Sequence, residues 1–257
     1  MAELSGKVAL ITGVTSPQGI GFAIARRFAA GGASLFIVDA NGNELEERAN
    51  ELAGMIEPEA RVIAAPYDLS VAGQPEAMIA AAVASFGRVD VLCNNAAVRR
   101  NKLFGEYSYD DFDASVAVNL RAPFFASQAV APVMREQGGG RIIHTASQLG
   151  LVTYDTRAVY GLTKAALIHL TKSMAYELAK DNIQVNAISP GPVYTQPIID
   201  RESQDPDGTR QRIHDYVPAG RYGRPDEIAE VAFFLATTPA TYLQGENIVI
   251  DGGYVTH

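Results

Sequence analysis

The sequence predicts an α/β fold, a doubly wound parallel sheet flanked by helices, in a single domain over residues 1–257. Three observations point there. Short apolar runs alternate with amphipathic stretches along the whole chain, as βαβ units do. The apolar runs lack the every-second-residue alternation of a half-exposed strand, which fits a sheet covered by helices on both faces. The first run leads straight into a glycine-containing turn and a helix, Thr12-Gly-Val-Thr-Ser-Pro-Gln-Gly-Ile-Gly21.

Taken in order, Val8–Ile11 is the first strand candidate, and Ile20–Ala30 the helix after the glycine turn. Leu35–Val38 and a helix near Glu44–Met55 form the next unit, followed by Val62–Ala65 and an alanine-rich helix near Glu76–Phe86. Val89–Cys93, Arg141–Thr145 and Gln184–Ile188 continue the strands, and Asn247–Ile250 closes the series. Long helices are expected over Tyr109–Met134 and Val159–Ala179. The stretch Thr195–Gly220 breaks the rhythm, with little apolar periodicity and the turn-like Asp205-Pro-Asp-Gly208. It reads as a lid or a surface excursion, since loops this long in a compact domain often serve function.

Composition narrows the function. The 257 residues suit one domain. Net charge is −8, from 21 basic and 29 acidic residues. That argues against a general nucleic-acid binder, which needs a positive surface. Cys93 is the single cysteine, so no internal disulfide can form, in keeping with a reducing compartment. Its apolar neighbours suggest a buried, inert thiol. With no signal-like N-terminus and no apolar run of membrane-spanning length, a cytoplasmic protein is expected. The four histidines, His144, His169, His214 and His257, are scattered, so no metal site is expected.

Chemistry concentrates in two places. Tyr160 and Lys164 share one helix face, and Ser147 lies thirteen residues before the tyrosine. A nearby cation favours the phenolate, so Tyr160 can exchange a proton with a substrate oxygen near neutral pH. Ser147 can hold that oxygen. The glycine turn is the second place. Its glycines allow a tight turn, and the helix start offers amides and a positive dipole to a pyrophosphate, although the usual Rossmann spacing is not met. Asp39 ends the second strand, eighteen residues after Gly21, where a carboxylate can accept hydrogen bonds from an adenosine ribose. Taken singly, Asn119, Ser147 and Lys164 also have ordinary structural readings as a surface, capping and solvated residue.

The ordered set of motifs resembles the classical short-chain dehydrogenase/reductase family over almost the whole chain. Asp68-Leu69 after the third strand, Asn94-Asn-Ala-Ala97 after the fourth, Asn119 in Val118-Asn-Leu, the trio Ser147, Tyr160 and Lys164, Pro190-Gly191 with Thr195, Arg221-Tyr-Gly-Arg-Pro225 and Asp251-Gly-Gly253 all fall in the family's order. Two departures stand out. Five residues, Val14 to Gln18, separate Thr-Gly from Gly-Ile-Gly where the family commonly has three, and Ala97 replaces a usual glycine.

The resemblance implies a Rossmann-type fold, a nicotinamide cofactor and a homotetramer, and Asp39, followed by no arginine, points to NAD. It implies that Tyr160 is the acid/base, that Lys164 also binds the nicotinamide ribose, that Ser147 positions the reacting oxygen and that Asn119 holds a water in a proton relay. Gly13, Gly19, Ile20, Asp39, Asp68, Leu69, Asn95, Ala96, Pro190, Gly191, Val193 and Thr195 would line the cofactor. The segment Asn95–Arg100 with Val217–Gly223 is similar to the gluconate and deoxygluconate dehydrogenase branch, implying a polyol, sugar or sugar acid. Arg99 or Arg100 would then bind a carboxylate through a planar fork, or else form a solvated turn or subunit contact. Two competing readings are 3-oxoacyl-carrier-protein reduction and a non-catalytic dinucleotide sensor.

Overall fold

The computed structural model describes residues 2–56 and 58–256. Strands β1 (Val8–Thr12), β2 (Ser34–Asp39), β3 (Val62–Pro66), β4 (Val91–Asn94), β5 (Gly140–Thr145), β6 (Ile183–Pro190) and β7 (Asn247–Ile250) form one sheet in the order β3-β2-β1-β4-β5-β6-β7. Each neighbouring pair is parallel. Strand order reverses beside β1, between β2 and β4, and ligands bind at such a switch point.

The missing alternation in the sequence has a direct cause. Along β1, Ala9 and Ile11 face one apolar layer and Leu10 the other. Along β2, Leu35 and Ile37 oppose Phe36 and Val38 in the same way. From Val8 to Ile11 and from Leu35 to Val38 every side chain is therefore apolar, whichever way it points. One layer is covered by α1 (Ile20–Ala30) and α9 (Pro225–Thr237), where Phe28 meets Phe233 edge-on at 6.0 Å. Truncating the fully buried Phe28 to alanine would cost about 3–5 kcal/mol, from lost burial and the cavity left behind. The opposite layer is covered by α3 (Gln74–Phe86), α5 (Ala122–Glu136) and α6 (Ala158–Leu178).

Local chemistry sets the ends of several helices. Asn41 caps α2 (Gly42–Ala53) by accepting from Glu44 N. Ser108 and Asp111 form a capping box at the start of α4 (Tyr109–Val116). Asp205 accepts from Gly208 N at 3.0 Å ahead of Pro206.

Four expectations need correction. The helix expected over Tyr109–Met134 is broken into α4 and α5 by a π-helical turn at Ala117–Arg121. The fourth strand starts at Val91, because the Val89 backbone pairs instead with the Gln137 side chain, at 3.0 Å in both directions. Thr195–Gly220 is not a loop: it carries α7 (Gln196–Gln204) and α8 (Pro206–Tyr216), started by Pro197 and Pro206 in their first turns. Finally, α9 was not among the expected helices, although Pro225 begins it from within a recognised motif. Among the described residues, no helix is long and apolar enough to cross a membrane.

Candidate active site

A cleft of about 660 Å³ opens at the carboxyl ends of the strands, roofed by α7 and α8. One wall is the glycine turn. Gly13 has φ +76°, and a Cβ there would sit 2.8 Å from Ala96 Cα. A Cβ on Gly21 would lie 2.1 Å from the Gly13 carbonyl oxygen. Glycine is required at both points for the chain to pass. Thr12 and Asn95 lock this wall to β4: Thr12 Oγ1 accepts from Asn95 N and Ala96 N, each at 3.0 Å, and Asn95 Nδ2 donates to the Thr12 carbonyl at 3.0 Å.

The lengthened turn is anchored by Asp39. Its Oδ2 accepts from Thr15 N at 3.1 Å and Thr15 Oγ1 at 2.8 Å, while Oδ1 accepts from Ala40 N at 2.8 Å. A carboxylate has about four acceptor positions, so roughly one stays open toward the cleft. The same end of the cleft is lined by Gly19, Ile20, Asp68, Leu69 and Ala96. Pro190, Gly191, Val193 and Thr195 line it from the loop after β6. These surfaces fit a dinucleotide: glycines with no room for a Cβ, a helix start, and a carboxylate at the end of β2.

Tyr160, Lys164 and Ser147 meet at the floor, all buried. Lys164 Nζ donates to the Thr145 carbonyl at 2.6 Å and stands 5.6 Å from the centre of the Tyr160 ring. Burial alone would push the phenol up. Lys164, Arg99 and Ser147 outweigh it and hold Tyr160 below the ordinary tyrosine value. Burial also pushes the Lys164 ammonium down, opposed by the phenolate of Tyr160. Ser147 Oγ accepts from Leu149 N at 3.1 Å and donates to Gln148 Oε1 at 3.3 Å. A proton donor and acceptor, a cation and a hydroxyl thus converge on one small space, an arrangement suited to moving a proton at a substrate oxygen.

Asn119 does not line the cleft. It is fully buried in the π-helical turn, where both amide hydrogens are used: Oδ1 accepts from Val98 N at 2.8 Å, while Nδ2 donates to the Val98 carbonyl at 3.0 Å and to Thr163 Oγ1 at 3.2 Å. This side chain clasps the loop after β4.

The two candidate arginines separate. Arg99 lines the cleft, its guanidinium 5.3 Å from the Tyr160 ring centre. Arg100 points elsewhere; its carbonyl accepts from Tyr107 OH at 3.0 Å and it lines no part of the cleft. Three further arginines, Arg157, Arg201 and Arg212, and a group of tyrosines at 154, 216, 222 and 254 complete the opposite end. Arg157 was legible in principle, since it stands three residues before Tyr160 at the start of the same helix. Arg201 and Arg212 lie on the hairpin that lacked periodicity. Cys93 is buried, and burial raises its thiol well above the usual range. Among the described residues, no cluster of three or more histidine, cysteine, aspartate or glutamate side chains could hold a metal ion.

Comparisons with known proteins identify the family. A family model described as enoyl-(acyl carrier protein) reductase matches residues 13–255. The chain belongs to the classical short-chain dehydrogenase/reductase family. It is an oxidoreductase of that family, acting on alcohols or ketones. It is 37% identical to the 3-oxoacyl-[acyl-carrier-protein] reductase of Thermotoga maritima, over 98% of this chain and 99% of that one. It is 39% identical to the D-threitol dehydrogenase of Mycolicibacterium smegmatis, over 98% and 94%. The crystal structure of L-sorbose reductase from Gluconobacter frateurii, complexed with NADPH and L-sorbose, superposes with a TM-score of 0.93 at 33% identity, covering 100% of both chains.

Proposed function

We propose that this enzyme interconverts a secondary alcohol and a ketone on a polyol, sugar or sugar acid, with a preference for NAD. The observation that carries the reading is the buried Tyr160, held acidic by Lys164, Arg99 and Ser147 at the floor of a cleft that fits a dinucleotide. A bound nicotinamide cofactor supplies or accepts the hydride. In the oxidation direction, Tyr160 takes the proton from the substrate hydroxyl; in reduction it gives one to the carbonyl oxygen. Ser147 orients that oxygen, releasing its bond to Gln148 Oε1. Lys164 stabilises the phenolate and is close enough to the cleft to meet a ribose. Asn119 acts through Val98, holding the loop that carries Arg99.

Asp39 supports the choice of NAD. Its carboxylate repels an added ribose phosphate, and neither Ala40 nor the turn Val14–Gln18 brings a compensating cation. The sugar and polyol reading draws support from the threitol and sorbose enzymes, and from the tyrosine hydroxyls of the cleft. The bound NADPH of the sorbose enzyme belongs to a different chain and leaves the cofactor choice here to measurement. We further propose that α7 and α8 act as a lid of the single domain, and that the enzyme is a cytoplasmic homotetramer. Exposed Phe112 on α4 and Phe124 and Phe125 on α5 offer an apolar face for such association.

A panel of polyols, sugars and sugar acids with NAD⁺ or NADP⁺, followed by absorbance of the reduced cofactor, tests the reading. Turnover of none of them would remove the substrate class. A second reading, reduction of a 3-oxoacyl carrier, is favoured by the Thermotoga relative, and a 3-oxoacyl thioester with NADPH in the same panel tests it.

A further inference from the structure

The end of the cleft away from the glycine turn holds positive charge that no salt bridge balances among the described residues. Arg99, Arg157, Arg201 and Arg212 all line it. The carboxylates that line the cleft, Asp39 and Asp68, lie at its other end, after β2 and β3. The α7 carboxylates hydrogen-bond neutral groups rather than these arginines: Asp200 accepts from Gln196 at 2.8 Å and Glu202 from the Tyr194 hydroxyl at 2.5 Å. In a chain of net charge −8, this concentration of unpaired cations is local and specific.

Two of the arginines are poorly satisfied. Arg157 is half-buried, and its hydrogen bonds go only to Thr156, next to it in sequence. Arg99 and Arg201 lie close enough to repel it. Arg201 donates from Nη2 to the Tyr222 hydroxyl at 2.9 Å, but its Nε is buried without a hydrogen-bond partner. A half-buried guanidinium beside like charges, or one with a buried unmade bond, is costly until an anion arrives. A carboxylate is the planar, bidentate partner that such a fork matches.

We infer that the substrate carries a carboxylate, and that Arg157 and Arg201 bind it at the end of the cleft away from the reacting oxygen. This rests on the alcohol/ketone oxidoreductase reading and narrows its substrate class to hydroxy and oxo acids. Arg157 is the N-cap of α6, three residues before Tyr160. Tyr216, Tyr222 and Tyr254 wall the space between, with hydroxyls to meet a polar chain.

The test uses D-gluconate and D-glucitol, which share a six-carbon polyol chain and differ at one end, carboxylate against alcohol. Each is titrated calorimetrically into the enzyme saturated with NADH, a complex that cannot turn over an alcohol. Gluconate should bind about ten- to hundredfold more tightly than glucitol, the range of one charge-assisted pair. In Arg157→Met and Arg201→Met that preference should fall to about threefold or less. Arg157→Lys and Arg201→Lys keep the charge without the fork and should retain an intermediate preference. Circular dichroism and melting curves establish that each variant is folded. Equal binding of the two probes by the wild type, no binding of gluconate, or an unchanged preference in both methionine variants would overturn the inference. The two readings fail separately. Oxidation of glucitol or threitol without any preference for the acid removes the carboxylate site alone. Arginine-dependent gluconate binding with no turnover of any alcohol or ketone keeps the site and removes the proposed reaction.

Discussion

Arg99 lies against the ring of Tyr160, its guanidinium carbon 5.3 Å from the ring centre. Lys164 approaches the same ring to 5.6 Å, so two cations serve one phenol. Lys164 comes from the helix that carries the tyrosine, Arg99 from the loop after β4. The acidity of the tyrosine is thus assembled from two separate parts of the fold.

Removing Arg99 should therefore move the pH profile. Alcohol oxidation needs the phenolate, so kcat/KM rises with pH through the Tyr160 pKa, which lies below the ordinary tyrosine value. A cation favours the phenolate, so its loss raises that pKa. In Arg99→Met the midpoint should shift upward by about one pH unit. Initial rates from pH 6 to 10 with saturating NAD⁺ check this, and an unmoved midpoint would show that Lys164 and Ser147 suffice.

Tyr160→Phe keeps the ring and deletes the proton-transfer group. Turnover should fall by about 10²–10⁴, while NADH affinity, read by fluorescence titration, stays close to wild type. Near-normal turnover would take the acid/base role away from Tyr160.

Asp39 both anchors the turn and repels a phosphate. Asp39→Asn still accepts from Thr15 but loses the charge, so it isolates the second effect. Two like charges about 4 Å apart near a surface repel by up to about 4 kcal/mol before screening by salt. The wild type should prefer NAD to NADP by at least about tenfold, and Asp39→Asn should lose most of that preference. Comparing kcat/KM for the two cofactors decides it; a wild type that favours NADP would refute the role given to Asp39.

His144 should make the protein acid-sensitive. It is fully buried on β5, with Nδ1 facing Asn94 Nδ2 at 3.3 Å and Nε2 lacking a partner. Burial, with the charge of Lys164, pushes its pKa down to about 3. The unfolded chain binds the proton near pH 6.5, the folded one only near pH 3. The stability contribution is complete above pH 6.5 and is lost as pH falls toward 3. Melting temperature should drop between pH 7 and 4 in the wild type and drop less steeply in His144→Leu. Parallel slopes would place the acid sensitivity elsewhere.

Much of the fold could be read in the chain because strand and helix alternate with clear apolar runs. Sixteen of the expected site residues line the cleft, since short motifs at strand ends report position as well as chemistry. What escaped had physical reasons. The π-helical turn leaves no mark in apolar periodicity, since α4 and α5 continue one direction of chain around it. Helices α7 and α8 are polar because one face meets solvent and the other a cleft, so no apolar stripe announces them. Arg157 and Arg201 come from separate elements, and only the folded hairpin makes them neighbours. The partners of Asn119 are the Val98 backbone, twenty-one residues away, and Thr163 Oγ1, a pairing that only the folded chain brings together.

The Asn119 clasp on Val98 divides the loop after β4 into two independent territories. Upstream, Asn95 and Ala96 are fixed to Thr12 and line the cleft beside the glycine turn. Downstream, from Arg99 to the start of α4, the chain is free of that obligation. The clasp therefore ties the placement of Arg99, and with it part of the acidity of Tyr160, to a side chain that never meets the cleft.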